Sequence, residues 1–303
     1  MEKRTFLKPP LSVQDQVVLL KSRGLQIPDE KRAIRYLQNI SYYRLSGYMY
    51  PFLSDTKQHI YKKGTKFEDI LDLYRFDREL RLFVFSAIEK IEIALRTQII
   101  NGFSVAFQNP FWYKDVKNFT YTEKHTHFIN SLYVNINRSN DVFIKHFYNT
   151  YNNPFPPIWV IFEILSMGQF SMLYNNTAKS LPRKAVADYF GVKETVLSAW
   201  LHTLVYVRNI CAHHARLWNK DLRIPVKLPK KHANKWLSNR NIKDRKVYIV
   251  LAIITYLLDT IIPHHTFRRK IKTLLGKYPN INIIAMGFPE NWDSDPFWGF
   301  KDG

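Results

Sequence analysis

The chain has 303 residues, 45 Lys+Arg against 25 Asp+Glu, a formal net charge of +20 and a hydrophobic share of 46%. That apolar share is enough for a sizeable core and excludes a globally disordered chain, while only 10 Gly argue against a β architecture dense in tight turns. A single cysteine, Cys211, excludes an internal disulfide framework and suits a reducing, cytoplasmic location.

Residues 1–10 are charged and lack the apolar stretch of a signal peptide. Residues 11–23 read as an amphipathic helix, with Ser12 as N-cap, Asp15 three residues on and Gly24 as the stop. Pro28-Asp29 opens a second helix running to Ile40, followed by an aromatic stretch with Tyr42, Tyr43, Tyr48, Tyr50 and Phe52. Two short helices joined by a turn fit a small packing subdomain, the favoured reading, or a helix-turn-helix DNA reader. The subdomain is placed at residues 1–53, and residues 54–303 are expected to form one helical domain.

Residues 54–65 are polar and read as a loop. A long helix is expected from Phe67 to Ile100, because Val84, Ile88, Ile91, Leu95 and Ile99 recur at steps of three and four, the period of a buried face. Glu89, Glu92 and Arg96 form a neighbouring charged stripe, and Glu92 and Arg96 stand at ion-pair spacing. Residues 101–151 suggest shorter helices, Pro154, Pro156 and Pro157 mark a boundary, and 158–174 reads as one helix with Glu163 inside it. A short helix stopped by Gly191 precedes a long one over 193–218.

Residues 227–246 carry eight Lys/Arg against one acidic residue, Asp244, in a segment that Pro and Asn should leave partly as loop. Residues 247–262 are an apolar run interrupted by Asp259, too short to span a bilayer comfortably, and read as a buried helix with no membrane role. Arg268, Arg269, Lys270 and Lys272 form a second basic cluster. The aromatic tail, 287–298, should be an ordered extended segment packed on the bundle.

A positive surplus of this size favours a polyanion. Phosphates pair with Lys and Arg while bases stack on aromatic faces, so with 21 Phe, 18 Tyr and 7 Trp the expected partner is nucleic acid. The residues expected to hold the RNA backbone are Lys227, Lys230, Lys231, Lys235 and Arg240, with Arg268, Arg269 and Lys270.

The peptide from Val207 to Asn219 carries the chemistry. Arg208, a polar Asn209, three further residues and His213 form the Arg-x4-His pattern of HEPN ribonucleases. RNA brings its own nucleophile, the 2′-hydroxyl. A site need only move its proton, stabilise the charged phosphorane and protonate the leaving 5′-oxygen. Histidine suits the proton transfers and arginine the phosphate oxygens, and neither step requires a metal. Asn209 and His214 are supporting polar residues.

At about 100° per residue, His202, Tyr206, Asn209, His213 and Arg216 fall on one polar stripe. Leu197, Leu201, Leu204, Ala212 and Ala215 fall near the opposite face, with Arg208 among them, about 140° from His213. Either the helix is irregular here or Arg208 bends round its edge. A buried Arg208 would need a carboxylate, Glu92 first and Glu163 second, and would then be a structural ion-pair member instead of a catalytic residue. Adjacent histidines such as His213 and His214 diverge on a helix and cannot easily chelate together, so no metal and no cofactor are expected.

Several peptides in one order carry a family resemblance. They are Tyr43-Arg44-Leu45-Ser46-Gly47-Tyr48, Phe76-Asp77-Arg78-Glu79-Leu80-Arg81, Ile91-Glu92-Ile93-Ala94-Leu95-Arg96 and Pro157-Ile158-Trp159. Arg208-Asn209 through Arg216-Leu217-Trp218-Asn219 and Gly287-Phe288-Pro289 complete the series. In these the chain resembles the AbiD/AbiF-like abortive-infection family along most of its length. The resemblance implies an all-α, HEPN-like helical bundle, here with a small N-terminal helical subdomain. It also implies RNA-directed activity in phage defence, with a 2′,3′-cyclic phosphate and a 5′-hydroxyl as products. One Arg-x4-His motif per chain implies a homodimer with the site at its two-fold axis, and two-fold dimers are the commonest oligomers. Glu92 and Arg96 are then supporting or structural residues. The alternatives are a non-catalytic RNA-binding module, whose basic clusters bind a structured RNA, and a DNA-binding regulator that uses residues 11–40; the charge would also suit a bound regulatory RNA.

Overall fold

The computed structural model describes residues 5, 9–239 and 241–299. Its described residues form twelve α-helices and one two-stranded sheet, so the fold class is all-α as expected. They divide into two compact units, one of residues up to Leu80 with Leu274–Ile281, the other of Arg81–Thr273 with the residues from Asn282 on. The expected 1–53 subdomain falls within the first.

The first unit begins with α1 (Val13–Ser22), whose N-cap Ser12 accepts the Asp15 amide at 3.1 Å, and Gly24 follows its end at φ +88°. Asp29 caps α2 (Glu30–Ile40) by accepting the Arg32 amide at 2.9 Å. The aromatic stretch folds as a third helix, α3 (Tyr42–Met49), which the sequence reading did not anticipate. Val17, Leu20, Ala33, Leu37 and Leu45 are buried where α1 meets α2 and α2 meets α3. The expected 54–65 loop contains a small antiparallel hairpin, β1 (Leu53–Asp55) with β2 (Ile60–Tyr61). It is closed by Asp55 Oδ1, which accepts the amides of Lys57 and Gln58. The long helix α4 (Phe67–Phe107) starts in this unit, burying Ile70, Leu71, Leu73 and Phe76. Tyr48 donates its hydroxyl to Asp77 at 2.7 Å, and Tyr278 sets its ring edge-on to Phe76.

In the second unit α4 continues from Arg81, and all five residues of the expected apolar stripe, Val84, Ile88, Ile91, Leu95 and Ile99, are at most 1% exposed. Then come α5 (Thr122–Arg138) and α6 (Val142–Thr150). The single helix expected over 158–174 is broken into α7 (Ile158–Ile164) and α8 (Met167–Asn176). The break is made by a capping box: Ser166 accepts the Gln169 amide while the Gln169 side chain accepts the Ser166 amide. That Ser-x-x-Gln spacing is a helix-start signal, here hidden inside an apolar run.

After α9 (Leu181–Tyr189) comes α10 (Glu194–Ala212), which packs on α8, α9 and α11 (Val247–Ile261). Helix α11 is buried at every position from Val247 to Leu258, which explains an apolar run without an amphipathic period. Helix α12 (Phe267–Lys277) follows, its stretch up to Thr273 in this unit, with Phe83 set edge-on to Phe267. The tail is ordered, with Met286, Phe288, Trp292, Phe297 and Trp298 buried and Trp298 Nε1 donating to the Tyr248 hydroxyl at 3.0 Å. No helix among the described residues is long and apolar enough to cross a membrane.

Candidate active site

Helix α10 carries both motif residues, but it ends at Ala212 and does not run on to Trp218 as expected. His213 is the C-cap, with φ −86° and ψ 10°, and its amide still reaches the Asn209 carbonyl at 3.0 Å. The next amides fold back. That of His214 donates to the Cys211 carbonyl at 3.1 Å, and that of Ala215 to the Ile210 carbonyl at 2.9 Å. These two bonds make a Schellman turn, which needs a left-handed residue at its centre. Glycine usually fills that place; here it is His214, at φ +56°. With no glycine to mark it, the stop is silent in the sequence.

Arg208 sits on the regular helix, one turn before its end, and His213 sits at the helix end with its amide still in helical register, so the chain leaves the helical path only beyond His213. His213 and His214 are exposed, and Arg208 is partly exposed. Beyond the turn, the buried Leu217 and Trp218 anchor the peptide, and Trp218 Nε1 donates to the Asn282 carbonyl at 3.3 Å. Asn219 lies at φ +51° and accepts from Lys246 Nζ at 2.9 Å. Lys246 also pairs with Asp221 at 2.7 Å.

Arg208 takes neither expected carboxylate. Glu163 is exposed, and Glu92 is held by Arg96, with Nη2 at 2.5 Å and Nε at 3.2 Å. Arg96 further donates to the Phe162 carbonyl and, at 2.7 Å, to the Leu165 carbonyl, and it lies 4.8 Å from the Phe170 ring centre. Glu92 and Arg96 therefore tie α4 to the α7–α8 break. The Arg208 guanidinium instead lies over the Phe85 ring of α4, 5.6 Å from its centre, and makes no ion pair among the described residues. A ring face and solvent suffice for a cation that is not fully buried. Nothing in the sequence marked Phe85.

The expected polar stripe forms only as far as Asn209 on α10, since His213 caps the helix and Arg216 lies past its end. His202 and Asn209 are exposed and Tyr206 half-buried, while Leu197, Leu201 and Leu204 on the other face are fully buried. Ala215, past the helix end, is exposed.

The basic residues separate into two groups. Lys227, Lys230, Lys231 and Lys235 are exposed on an irregular segment and pair with no acidic group among the described residues; Arg240 lies outside the described residues. Arg269 and Lys270 are exposed on α12. Arg268 is engaged: its guanidinium spans both oxygens of Asp259, at 2.5 and 2.6 Å, and Nε donates to the Phe297 carbonyl at 3.1 Å. His265 joins them. Its Nδ1 accepts the Phe267 amide at 3.1 Å, so the ring proton sits on Nε2 and is donated to Asp259 at 2.9 Å. Burial pushes the Asp259 carboxyl up, but the hydrogen bonds from His265 and Arg268 and the charge of Arg268 outweigh it and hold the group below its ordinary value. No group of three His, Cys, Asp or Glu side chains is gathered for a metal ion among the described residues.

A family model described as Abi-like protein matches residues 35–219, which span the motif and most of the helices that pack on α10. Comparison with curated proteins and with solved structures finds no match.

Proposed function

The chain belongs to the Abi-like protein family, with its role in abortive-infection defence, and from that premise we propose that it is a metal-independent endoribonuclease of the HEPN type. The observation that carries this reading is the unpaired guanidinium of Arg208, set on the helix whose end presents His213 to solvent. An arginine serving the fold is normally neutralised, as Arg96 and Arg268 are here. Arg208 keeps its full charge for an incoming anion, and a phosphodiester matches its forked donors.

On this reading the 2′-oxygen of the RNA attacks the adjacent phosphorus as an imidazole takes its proton. The phosphorane's negative charge lies against Arg208. The bond to the 5′-oxygen breaks as a proton returns to it, leaving a 2′,3′-cyclic phosphate and a 5′-hydroxyl. One imidazole per chain serves one transfer readily. The second is best supplied by His213 of another copy, so the working form is a homodimer in the cytoplasm. Asn209 holds the His213 amide and His214 shapes the turn. Lys227, Lys230, Lys231, Lys235, Arg269 and Lys270 supply a phosphate-binding surface.

The test is RNA cleavage by purified protein, with products analysed for a cyclic phosphate terminus. His213→Ala is expected to lower the rate about 10²–10⁴-fold, the usual worth of general acid–base catalysis. A His213→Ala protein that cleaves at the wild-type rate would end the assignment. The second reading, an RNA-binding module, is favoured by the lysines at 227–235, which are exposed independently of the motif. Tight RNA binding without cleavage by wild-type protein would establish it.

A further inference from the structure

The polar stripe of α10 borders a cavity of about 360 Å³. His202, Tyr206 and Asn209 line one wall, and Leu222, Arg223 and Ile224 the other. The second wall is fixed by the backbone. Leu222 donates its amide to the Arg245 carbonyl and Val226 to the Asp244 carbonyl, each at 2.8 Å, and both side chains are buried. Between these two anchors Arg223 and Ile224 are left outside, and Ile224 is 55% exposed.

Five polar side chains line this cleft; Thr203 donates its hydroxyl to the Ala199 carbonyl at 3.1 Å, and the other four, His202, Tyr206, Asn209 and Arg223, make no side-chain hydrogen bond or ion pair among the described residues. The size falls within the range of small-ligand sites, about 300–1,000 Å³. The chemistry is specific: a phenol ring and an aliphatic side chain for a flat apolar face, a carboxamide and an imidazole for an edge with donors and acceptors, and a guanidinium for an anion. A nucleobase on its sugar-phosphate has all three. Base recognition by proteins uses aromatic faces for stacking and Asn-type amides for the edge.

We propose that this cleft seats a single unstacked nucleobase of the RNA, beside the phosphate handled at His213. The proposal rests on the ribonuclease reading for its substrate. The link between the two places is Asn209, whose carbonyl holds the His213 amide at 3.0 Å while the residue lines the cleft. Tyr206 and Ile224 clasp the base, Asn209 and His202 read its edge, and Arg223 takes a flanking phosphate. A base held here fixes which phosphate reaches the motif, so the cleft sets cleavage specificity.

The experiment uses full-length His213→Ala protein, so that the RNA stays intact, and short single-stranded RNAs carrying one 4-thiouridine or one 6-thioguanosine. After irradiation the adduct is expected in peptides containing residues 202–209 or 222–224. Tyr206→Ala and Ile224→Trp, the latter filling the cleft from an exposed position, should each weaken binding about tenfold and flatten the preference among base-substituted RNAs. Should Tyr206→Ala fail to fold, Ile224→Trp carries the measurement. Adducts confined to other peptides, or full affinity and base preference in the filled variant, would overturn the proposal. So would an Ile224→Trp protein that loses self-association yet binds RNA unchanged, since the cleft would then serve a second copy. An adduct in the cleft with no cleavage by wild-type protein sinks the ribonuclease reading and sustains the base seat. Cleavage with adducts elsewhere does the reverse.

Discussion

The guanidinium of Arg208 lies 5.6 Å from the centre of the Phe85 ring, and no carboxylate among the described residues pairs with it. Removing this side chain therefore strands no buried negative charge. Arg208→Ala should cost only about 0.5–1 kcal/mol, the scale of a partly exposed cation–π contact. Phe85→Leu keeps the apolar volume but removes the ring face, so it should lower cleavage through Arg208 more than it lowers the melting temperature. Urea melts and cleavage rates on both variants decide this; an Arg208→Ala protein destabilised by several kcal/mol would show that the arginine serves the fold.

His214 occupies the left-handed centre of the helix-ending turn at φ +56°. Such a conformation costs a side-chain-bearing residue about 1–2 kcal/mol, least for residues tolerant of it and most for β-branched ones. His214→Gly relieves that cost, and His214→Val should be less stable than His214→Gly by about 1–2 kcal/mol. Equal midpoints for the two variants in denaturant would contradict the turn.

The Glu92–Arg96 pair has side chains only 16% exposed each, and Arg96 also serves the carbonyls of Phe162 and Leu165. Arg96→Ala is expected to cost about 3 kcal/mol, because it strands a carboxylate and two carbonyls at once. Arg96→Lys should recover only part of that, since a point charge cannot replace a fork. Calorimetric melting of the two variants checks the order.

Acid should reveal the Asp259 cluster. Its carboxyl is held below the ordinary value, so the folded state binds fewer protons than the unfolded one as pH falls. The stabilisation is therefore complete above the unfolded value, about 4, and is lost as pH drops through the lowered folded value. Asp259→Asn should be less stable at neutral pH by about 1–3 kcal/mol and should lose part of the wild type's acid sensitivity. Melting temperature against pH for both proteins is the measurement, and parallel curves would refute the linkage.

The exposed lysines at 227, 230, 231 and 235 predict a salt-dependent RNA affinity. Neutralising all four should reduce the slope of log affinity against log salt by about three units, at roughly 0.7 per single-strand phosphate contact. An unchanged slope would make this segment a solvated face only.

The sequence by itself determined the helical class, the buried stripe of α4, the cap of α1 and the start of α2, the Glu92–Arg96 pair and the polar stripe of α10 up to Asn209. Each of these is a local pattern, written at spacings of three and four residues or in a capping side chain. It did not disclose the break at Ser166, because its capping pair sits among apolar residues whose periodicity continues across it. Nor did it disclose the end of α10, because the left-handed turn is built on a histidine and is held by the burial of Leu217 and Trp218. The surroundings of each arginine were decided only in three dimensions. Arg96 received a carboxylate four residues away, Arg268 one from the end of another helix, and Arg208 an aromatic ring 123 residues earlier in the chain. Partners so distant in sequence are chosen by which helices pack together, and no periodicity within a single segment records that choice.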